Sequence, residues 1–250
     1  MSDIISAPSD AFEGNPMQKI DTWSYSRLIT FEQCKLRAKL AYIDRIPEPE
    51  RPLPPGKTEH ANDRGTRIHN AAEMFVRGGV ELIPELYSFR EEFLRLRELY
   101  KQGKVILEGE WAVDRNWEPT AWNSSNVWAR IKLDAFVRMS KTHGVVIDFK
   151  TGKKLGNEVK HAEQCQLYQL AAFLRYPELQ EIDVELWYTD QDDLTHMRYT
   201  REQGLRFFQN FDRRGHAVTD ATEFPANPNM FSCRWCPYGP RGTGHCDKGV

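Results

Sequence analysis

The sequence contains no apolar run as long as the ~18 residues that a membrane-spanning helix requires, so it predicts no such helix. It also lacks an excess of basic residues. The 34 Lys and Arg face 36 Asp and Glu and leave a formal net charge of −2. The chain as a whole therefore presents no positive field of the kind that attracts nucleic acid. This absence argues only weakly against nucleic acid, since a local basic surface is sufficient for binding.

The first twenty residues lack the apolar segment of a secretory leader. They are acidic and contain Pro, Gly and Ser, so we expect segment 1–20 to be disordered and the protein to be cytosolic. A phosphate-binding P-loop is absent as well. Gly56-Lys57-Thr58 resembles the end of one, but Arg51 occupies the position of its first glycine and no strand precedes it. No ATP-driven motor is therefore indicated.

Cysteines are few and odd in number: Cys34, Cys165, Cys233, Cys236 and Cys246. An odd count in a cytosolic chain argues against a disulfide framework and favours a metal or cluster site with one spare thiol. Three thiols lie in the short segment 233–246. Four thiolates suit an iron–sulfur cluster, and zinc with His245 or Cys34 as the fourth ligand is the alternative. Cys165 is interpreted as a small buried apolar residue.

Hydrophobic periodicity predicts helices first and strands second. One helix, capped by Ser24 or Ser26, is expected to continue through Leu40, and two more are expected over 59–78 and 84–102. Three strands, a strong helix, a further strand with a pairing partner and a late helix follow, before a loop-like tail over 220–250. This order predicts an α/β or α+β domain with a mixed sheet.

The predicted strand from Val145 ends in a carboxylate and an ammonium group two residues apart. Asp148 and Lys150 therefore share one face. Asp134 lies in the preceding strand, and antiparallel pairing places it opposite Asp148. Two carboxylates at that distance repel unless a cation lies between them, and oxygen ligands suit Mg²⁺ or Mn²⁺. An exposed ion pair is the alternative interpretation of Asp148 and Lys150 taken alone.

Five motifs occur in a characteristic order. They are GTRIH, with Gly65 and His69; IKLDAF, with Asp134; VIDFKTGK, with Asp148 and Lys150; QCQLY, with Gln164 and Tyr168; and the set Cys34, Cys233, Cys236 and Cys246. Together they resemble the PD-(D/E)XK nuclease superfamily, in the RecB-type branch that includes CRISPR-associated RecB-like and phage iron–sulfur exonucleases. The resemblance covers positions 24 to 246. Leu133 replaces the usual proline before the first Asp, and the gap between Cys236 and Cys246 is longer than is typical.

The resemblance implies a restriction-endonuclease-like α/β (α+β) core, with a mixed central sheet flanked by helices. It implies a single nuclease domain over 21–250, in which 21–45 and 220–250 form a metal-cluster subdomain. The four motif cysteines would hold an iron–sulfur cluster of the 4Fe–4S type, in which Cys34 ties the first helix to the tail.

The same resemblance assigns the site residues. His69, Asp134, Asp148 and the backbone carbonyl of Phe149 would bind one or two Mg²⁺ or Mn²⁺ ions. Lys150 would position or deprotonate the attacking water and stabilise the phosphorus at the transition state.

The remaining site assignments each have a structural alternative. Gln164 and Tyr168 would brace the site and contact the DNA backbone, or else cap and pack a core helix. His69 alone would be an ordinary helix histidine, but Gly65 one turn earlier favours a ligand. Glu110 would reach the metal through a water, although an exposed strand glutamate is the simpler interpretation.

The function implied is a metal-dependent DNA exonuclease acting on single-stranded or end-resected DNA in recombination, repair or phage replication. Its partners would be DNA and recombination or CRISPR-adaptation proteins, without a membrane, in the cytoplasm of a bacterium or a phage-infected host cell. A structure-selective endonuclease and a catalytically silent DNA-binding scaffold are the alternatives. Four tryptophans near the strands would stack on bases or, for most of them, pack in the core: Trp111, Trp117, Trp122 and Trp128.

Overall fold

The computed structural model describes residues 19–249, so nearly all of the segment 1–20 expected to be disordered lies outside the described residues. The helices are α1 (Tyr25–Gln33), α2 (Lys35–Tyr42), α3 (Ala61–Arg77), α4 (Arg90–Lys101), α5 (Glu158–Arg175), α6 (Arg201–Leu205), α7 (Phe208–Thr219) and α8 (Met230–Cys233). The strands are β1 (Val105–Val113), β2 (Pro119–Thr120), β3 (Ala129–Arg138), β4 (His143–Lys150), β5 (Glu181–Tyr188) and β6 (Asp193–Thr200). A 3₁₀ turn, Pro84–Phe89, precedes α4. None of the helices in the described part is long and apolar enough to cross a membrane.

The six strands form one sheet in the order β2-β1-β3-β4-β5-β6. Every neighbouring pair is antiparallel except β4 and β5, which are parallel and joined by α5 as a crossover helix. A parallel pair at the centre of a sheet is buried on both faces, which explains the continuous apolar run Val145–Ile147 before Asp148. The expected mixed sheet flanked by helices is confirmed.

Two hydrophobic cores cover the two faces of the sheet. The first core includes buried residues of α1, α5 and α7, among them Leu28, Leu170 and Phe211. The second core packs α3 and α4 against the opposite face through residues such as Ile68 and Phe93. Three tryptophans expected to pack in the core do so: Trp111, Trp117 and Trp128. The fourth, Trp122, is only partly buried and lies in a loop before β3.

The first helical segment is broken at Cys34, whereas the sequence predicts a continuous helix. Ser24 caps α1 as expected, with its side chain accepting from the Arg27 N–H. Cys34 then adopts an extended backbone, with φ −162° and ψ 112°, and a separate α2 begins at Lys35. The break follows from contacts with the distant tail, since the Leu36 N–H donates to the Pro225 carbonyl at 3.2 Å.

Arg214 fixes the position of α5 relative to α1. Its guanidinium is nearly buried and donates to Glu32 of α1 at 2.7 Å and to Glu163 of α5 at 2.6 Å. Removing one member of such a network leaves the other charges unpaired, so the network holds the three helices in one arrangement. The residue after Glu163 is Gln164, whose side chain reaches Lys150 at the end of β4.

Candidate active site

A cluster of three ligand-type side chains lies where α3 crosses β1 and β3. His69 Nδ1 lies 3.1 Å from Asp134 Oδ1. One ligand atom from each of His69, Glu108 and Asp134 lies within 4.8 Å of the others. Gly65 allows this close approach of α3, because a Cβ there would lie 3.3 Å from Thr151 Oγ1, just beyond β4. The structure thus brings together His69 and Asp134, which the sequence indicates, and Glu108, which the sequence does not indicate.

Glu108 is the residue that sequence reasoning missed, and Glu110 was considered in its place. Strand alternation from the buried Leu107 would put Glu108 on the opposite face. Instead Glu108 has φ +49°, a left-handed conformation unusual for a non-glycine residue, and the pleat of β1 reverses there. Glu108 therefore faces α3 together with His69, whereas Glu110 lies exposed one pleat further along. Backbone strain at a cluster of ionisable groups is typical of functional sites.

The predicted opposition of Asp134 and Asp148 agrees with the register of the sheet. The ladder between β3 and β4 runs from Arg138–Gly144 to Ala135–Ile147 and ends there. The next residues are Asp134 and Asp148, so the strands separate where the carboxylates lie. The Phe149 N–H donates to Asp134 Oδ2 at 2.6 Å. The backbone N–H of Phe149 therefore contacts the site, and the role of its carbonyl as a metal ligand stays a prediction.

Asp148 and Lys150 form a buried pair and not the exposed ion pair of the alternative interpretation. Their side chains are 5% and 15% exposed, and Lys150 Nζ lies 2.5 Å from Asp148 Oδ2. Burial raises the pKa of Asp148, outweighing the opposite effect of Lys150, and the charge of Asp134 adds to the rise. Burial alone would lower the pKa of Lys150, but the charge of Asp148 outweighs it and that pKa is raised. The Lys150 ammonium is therefore the partner of Asp148 Oδ2 within the protein.

Gln164 and Tyr168 lie one turn apart on α5 and support Lys150. Lys150 Nζ donates to Gln164 Oε1 at 2.9 Å, and Gln164 Nε2 donates to the Tyr168 hydroxyl oxygen at 2.5 Å. Tyr168 is 6% exposed and packs in the first core, and burial raises its pKa well above the ordinary value. Gln164 is partly exposed and therefore accessible from outside the protein.

The electrostatics of this cluster favour a cation. Burial acts to lower the pKa of His69, but its hydrogen bond to Asp134 and the charges of Asp134 and Asp148 outweigh that effect and raise it. Carboxylates with an imidazole are a donor set that suits Mn²⁺ and related divalent ions. The residues present therefore fit a divalent metal.

The structure also places the four motif cysteines around one pocket. Cys34, Cys233, Cys236 and Cys246 all line this pocket. Backbone N–H groups donate to two of the sulfurs, from Asn227 to Cys34 Sγ at 3.5 Å and from Asn229 to Cys233 Sγ at 3.4 Å. The break between α1 and α2 at Cys34 thus lies beside the C-terminal tail, and four cysteine sulfurs line the pocket between them.

The other two candidates from the cysteine analysis lie elsewhere. Cys165 is fully buried in the first core, as predicted, and burial raises the pKa of its thiol. His245, the alternative zinc ligand, is exposed, does not line the pocket, and bonds through Nδ1 to Thr243 Oγ1 at 2.8 Å.

Comparison with solved structures gives distant likenesses. The crystal structure of SSO0001 is 12% identical with a TM-score of 0.44, and the match covers 92% of this chain and 87% of that one. An alkaline exonuclease from Laribacter hongkongensis, LHK-Exo, is 14% identical with a TM-score of 0.31, covering 80% and 87%. The structure of LHK-Exo in complex with dAMP is 13% identical with a TM-score of 0.29, covering 80% and 86%.

Sequence comparison identifies the family directly. No curated protein matches the chain. The family model of the PD-(D/E)XK nuclease superfamily matches residues 22–241, which include all the elements that build the carboxylate site. The mixed sheet agrees with the fold of that family. The chain belongs to the PD-(D/E)XK nuclease superfamily.

Proposed function

We propose that the protein is a divalent-metal-dependent DNA exonuclease that acts on single-stranded or end-resected DNA. The observation that carries this proposal is the convergence of His69, Glu108 and Asp134 beside the buried pair Asp148 and Lys150. Nucleases of this superfamily use divalent metals. The biological setting that we propose is recombination, repair or phage replication.

His69, Glu108 and Asp134, with Asp148 and the Phe149 carbonyl beside them, would hold the metal. A divalent ion bound there would lower the pKa of bound water and neutralise charge on the phosphate. Lys150 carries its proton at neutral pH, because its pKa is raised. Its ammonium therefore stabilises the negative charge that develops on the phosphate oxygens. Gln164 orients that ammonium by accepting from Nζ, and Tyr168 in turn fixes Gln164.

The second part of the proposal is a 4Fe–4S cluster bound by Cys34, Cys233, Cys236 and Cys246. Four cysteines around one pocket are the observation that supports this part of the proposal. Backbone N–H groups donate to the sulfurs of Cys34 and Cys233, and hydrogen bonds to sulfur are a usual feature of cluster sites. Zinc bound by the same residues is the alternative.

Digestion of end-labelled linear DNA and of circular single-stranded DNA tests the proposed activity. Protein purified without oxygen is incubated with Mn²⁺, Mg²⁺ or EDTA. We expect metal-dependent loss of the linear DNA with the circles spared, and the label position gives the polarity. Cut circles would indicate a structure-selective endonuclease instead. No cleavage with either metal would indicate a DNA-binding scaffold.

Glu108→Gln tests the ligand that the structure adds to the predicted set. Glutamine keeps the size of the side chain but removes the charge, so we expect cleavage at fixed Mn²⁺ to fall about a hundredfold and to recover partly at higher Mn²⁺. Glu110→Gln, two residues away on the same strand and exposed, is the matched control and should retain full activity. Equal effects of the two substitutions would contradict a role for Glu108 at the metal.

A further inference from the structure

A long groove connects the carboxylate site with the cysteine pocket. It runs between α1, the start of α5 and the edge of β3, with a volume of about 1680 Å³ including space open to solvent. At one end it shares Asn62 and Lys132 with the pocket that contains His69 and Asp134. At the other end it shares Gln33 and Arg37 with the cysteine pocket. A chain lying in this groove would therefore have one end at the proposed catalytic residues.

The lining of the groove is basic although the protein is not. Its charged residues are Arg27, Arg37, Arg130, Lys132 and Lys160, and no Asp or Glu of the described residues lines it. Of these five, only Lys132 makes an ion pair, with Glu108 at 2.7 Å; the other four make none within residues 19–249. Elsewhere many arginines are neutralised, as Arg64 is by Asp190. The groove lining is therefore locally positive, although the net charge of the protein is −2.

Two of the groove cations, Arg27 and Arg130, lie close enough to repel each other. Burial lowers the pKa of Arg27, and although Tyr42 acts in the opposite direction, the charges of Arg130 and Arg45 lower it further. A polyanion in the groove would relieve this repulsion. Phosphate groups would interact with the four cations that make no ion pair, since lysine and arginine are the usual partners of nucleic-acid backbones.

Trp122 gives the groove a second chemical feature. Its ring is partly exposed, lines the groove and lies beneath the Arg130 guanidinium, which is 5.3 Å from the ring centroid. The Arg130 Nε–H also donates to the Trp122 carbonyl at 3.3 Å, so the two side chains are held together. An aromatic face beside an arginine is a stacking platform for a nucleobase. In a duplex the faces of the bases are covered by their neighbours, so such a platform favours unpaired bases.

We propose that this groove binds one single strand of DNA, with phosphates on Arg27, Arg37, Arg130 and Lys160 and a base on Trp122. The strand passes from the junction of α1 and α2 at Cys34 towards Asp134. The inference rests on the proposed nuclease function for its biological meaning, but strand binding is measurable without metal and without cleavage.

The test is fluorescence anisotropy of a labelled oligothymidylate and of a duplex of equal length, in EDTA, over a range of salt concentrations. Lys160→Glu changes an exposed residue that makes no ion pair among the described residues, and we expect single-strand affinity to fall about tenfold with a shallower salt dependence. Arg95→Glu is the matched control, since Arg95 is an exposed α4 residue outside the groove. It should leave affinity within about twofold.

Trp122→Ala separates stacking from charge. We expect single-strand affinity to fall about tenfold or more with an unchanged salt dependence, a reduced preference for single strands over duplex, and recovery in Trp122→Phe. The groove assignment would be overturned, even if the protein cleaves DNA, if Lys160→Glu and Trp122→Ala lost no affinity or lost no more than Arg95→Glu. If both groove variants lose single-strand affinity as expected but the unsubstituted protein cleaves no DNA, the groove assignment is upheld and the proposed nuclease activity is rejected.

Discussion

Replacing Asp148 by asparagine is expected to reduce DNA cleavage by about a hundredfold to a thousandfold, with single-strand affinity in EDTA unchanged within about twofold. The side chain keeps its shape but loses the charge that lies beside Lys150 and opposite Asp134. The carboxylate is buried, and that burial raises its pKa although the Lys150 ammonium lies beside it. A buried carboxylate with a raised pKa is more readily explained by a role in catalysis than by a contribution to stability.

Two further variants make this result interpretable. Asp134→Asn should cause a similar loss, although Asp134 pairs with His69 and not with Lys150. Similar losses of cleavage in Asp148→Asn and Asp134→Asn would show that the effect of Asp148→Asn is more than a disruption of its ion pair with Lys150. Asp192→Asn makes the same chemical change at an exposed turn residue and should retain activity and thermal stability. Cleavage at the normal rate by Asp148→Asn protein, measured on end-labelled DNA, would reject the proposed mechanism.

If the proposed four-cysteine cluster is present, replacing Cys34 by serine is expected to remove its iron and to lower the melting temperature by about 10 °C. A ligand present at a thousandfold its dissociation constant stabilises the folded state by about 4 kcal/mol, and each kcal/mol corresponds to about 2–4 °C in a chain of this size. Cys34 is the one proposed ligand outside the tail, and Asn227 hydrogen-bonds to its sulfur and to the Gln33 carbonyl, so the substitution also weakens the connection between α1 and the segment around Asn227. Iron content per chain and thermal unfolding of anaerobically purified protein measure both effects.

Cys165→Ala provides the control for that experiment, because Cys165 is buried in the first core and far from the pocket lining. It should keep the full iron content, with a small change in stability from lost packing. Stoichiometric zinc in place of iron in the unsubstituted protein would support the zinc alternative. Full iron content in Cys34→Ser protein would reject the four-cysteine site.

The arrangement of the sheet was predictable because it depends on local patterns. Apolar runs and turn residues mark β1, β3 and β4, and the strong helix between β4 and β5 is long enough to serve as the crossover of a parallel pair. The facing positions of Asp134 and Asp148 follow from the antiparallel register through a short turn. Lys150 shares a face with Asp148 because side chains alternate along a strand. Each of these inferences uses neighbours within a few tens of residues.

Other features depended on contacts between distant segments. Periodicity indicated a continuous helix through Cys34, but hydrogen bonds to Pro225 and Asn227 accompany a break there. Periodicity likewise gave no sign that β1 reverses its pleat at Glu108, because a positive φ at a glutamate has no sequence signature. The groove cations come from α1, α2, β3 and α5, and their proximity is invisible in a net charge of −2.

The sequence by itself determined the family, the order of the elements, and the pairing of two carboxylates with a lysine at a strand end. Those properties follow from short-range periodicity and from motifs that keep their order along the chain. Only the tertiary structure decided that Glu108 joins His69 and Asp134, and that Trp122 lines a groove while three other tryptophans pack in the core. These depend on which faces of distant elements meet, and that is set by packing of the two cores across the sheet.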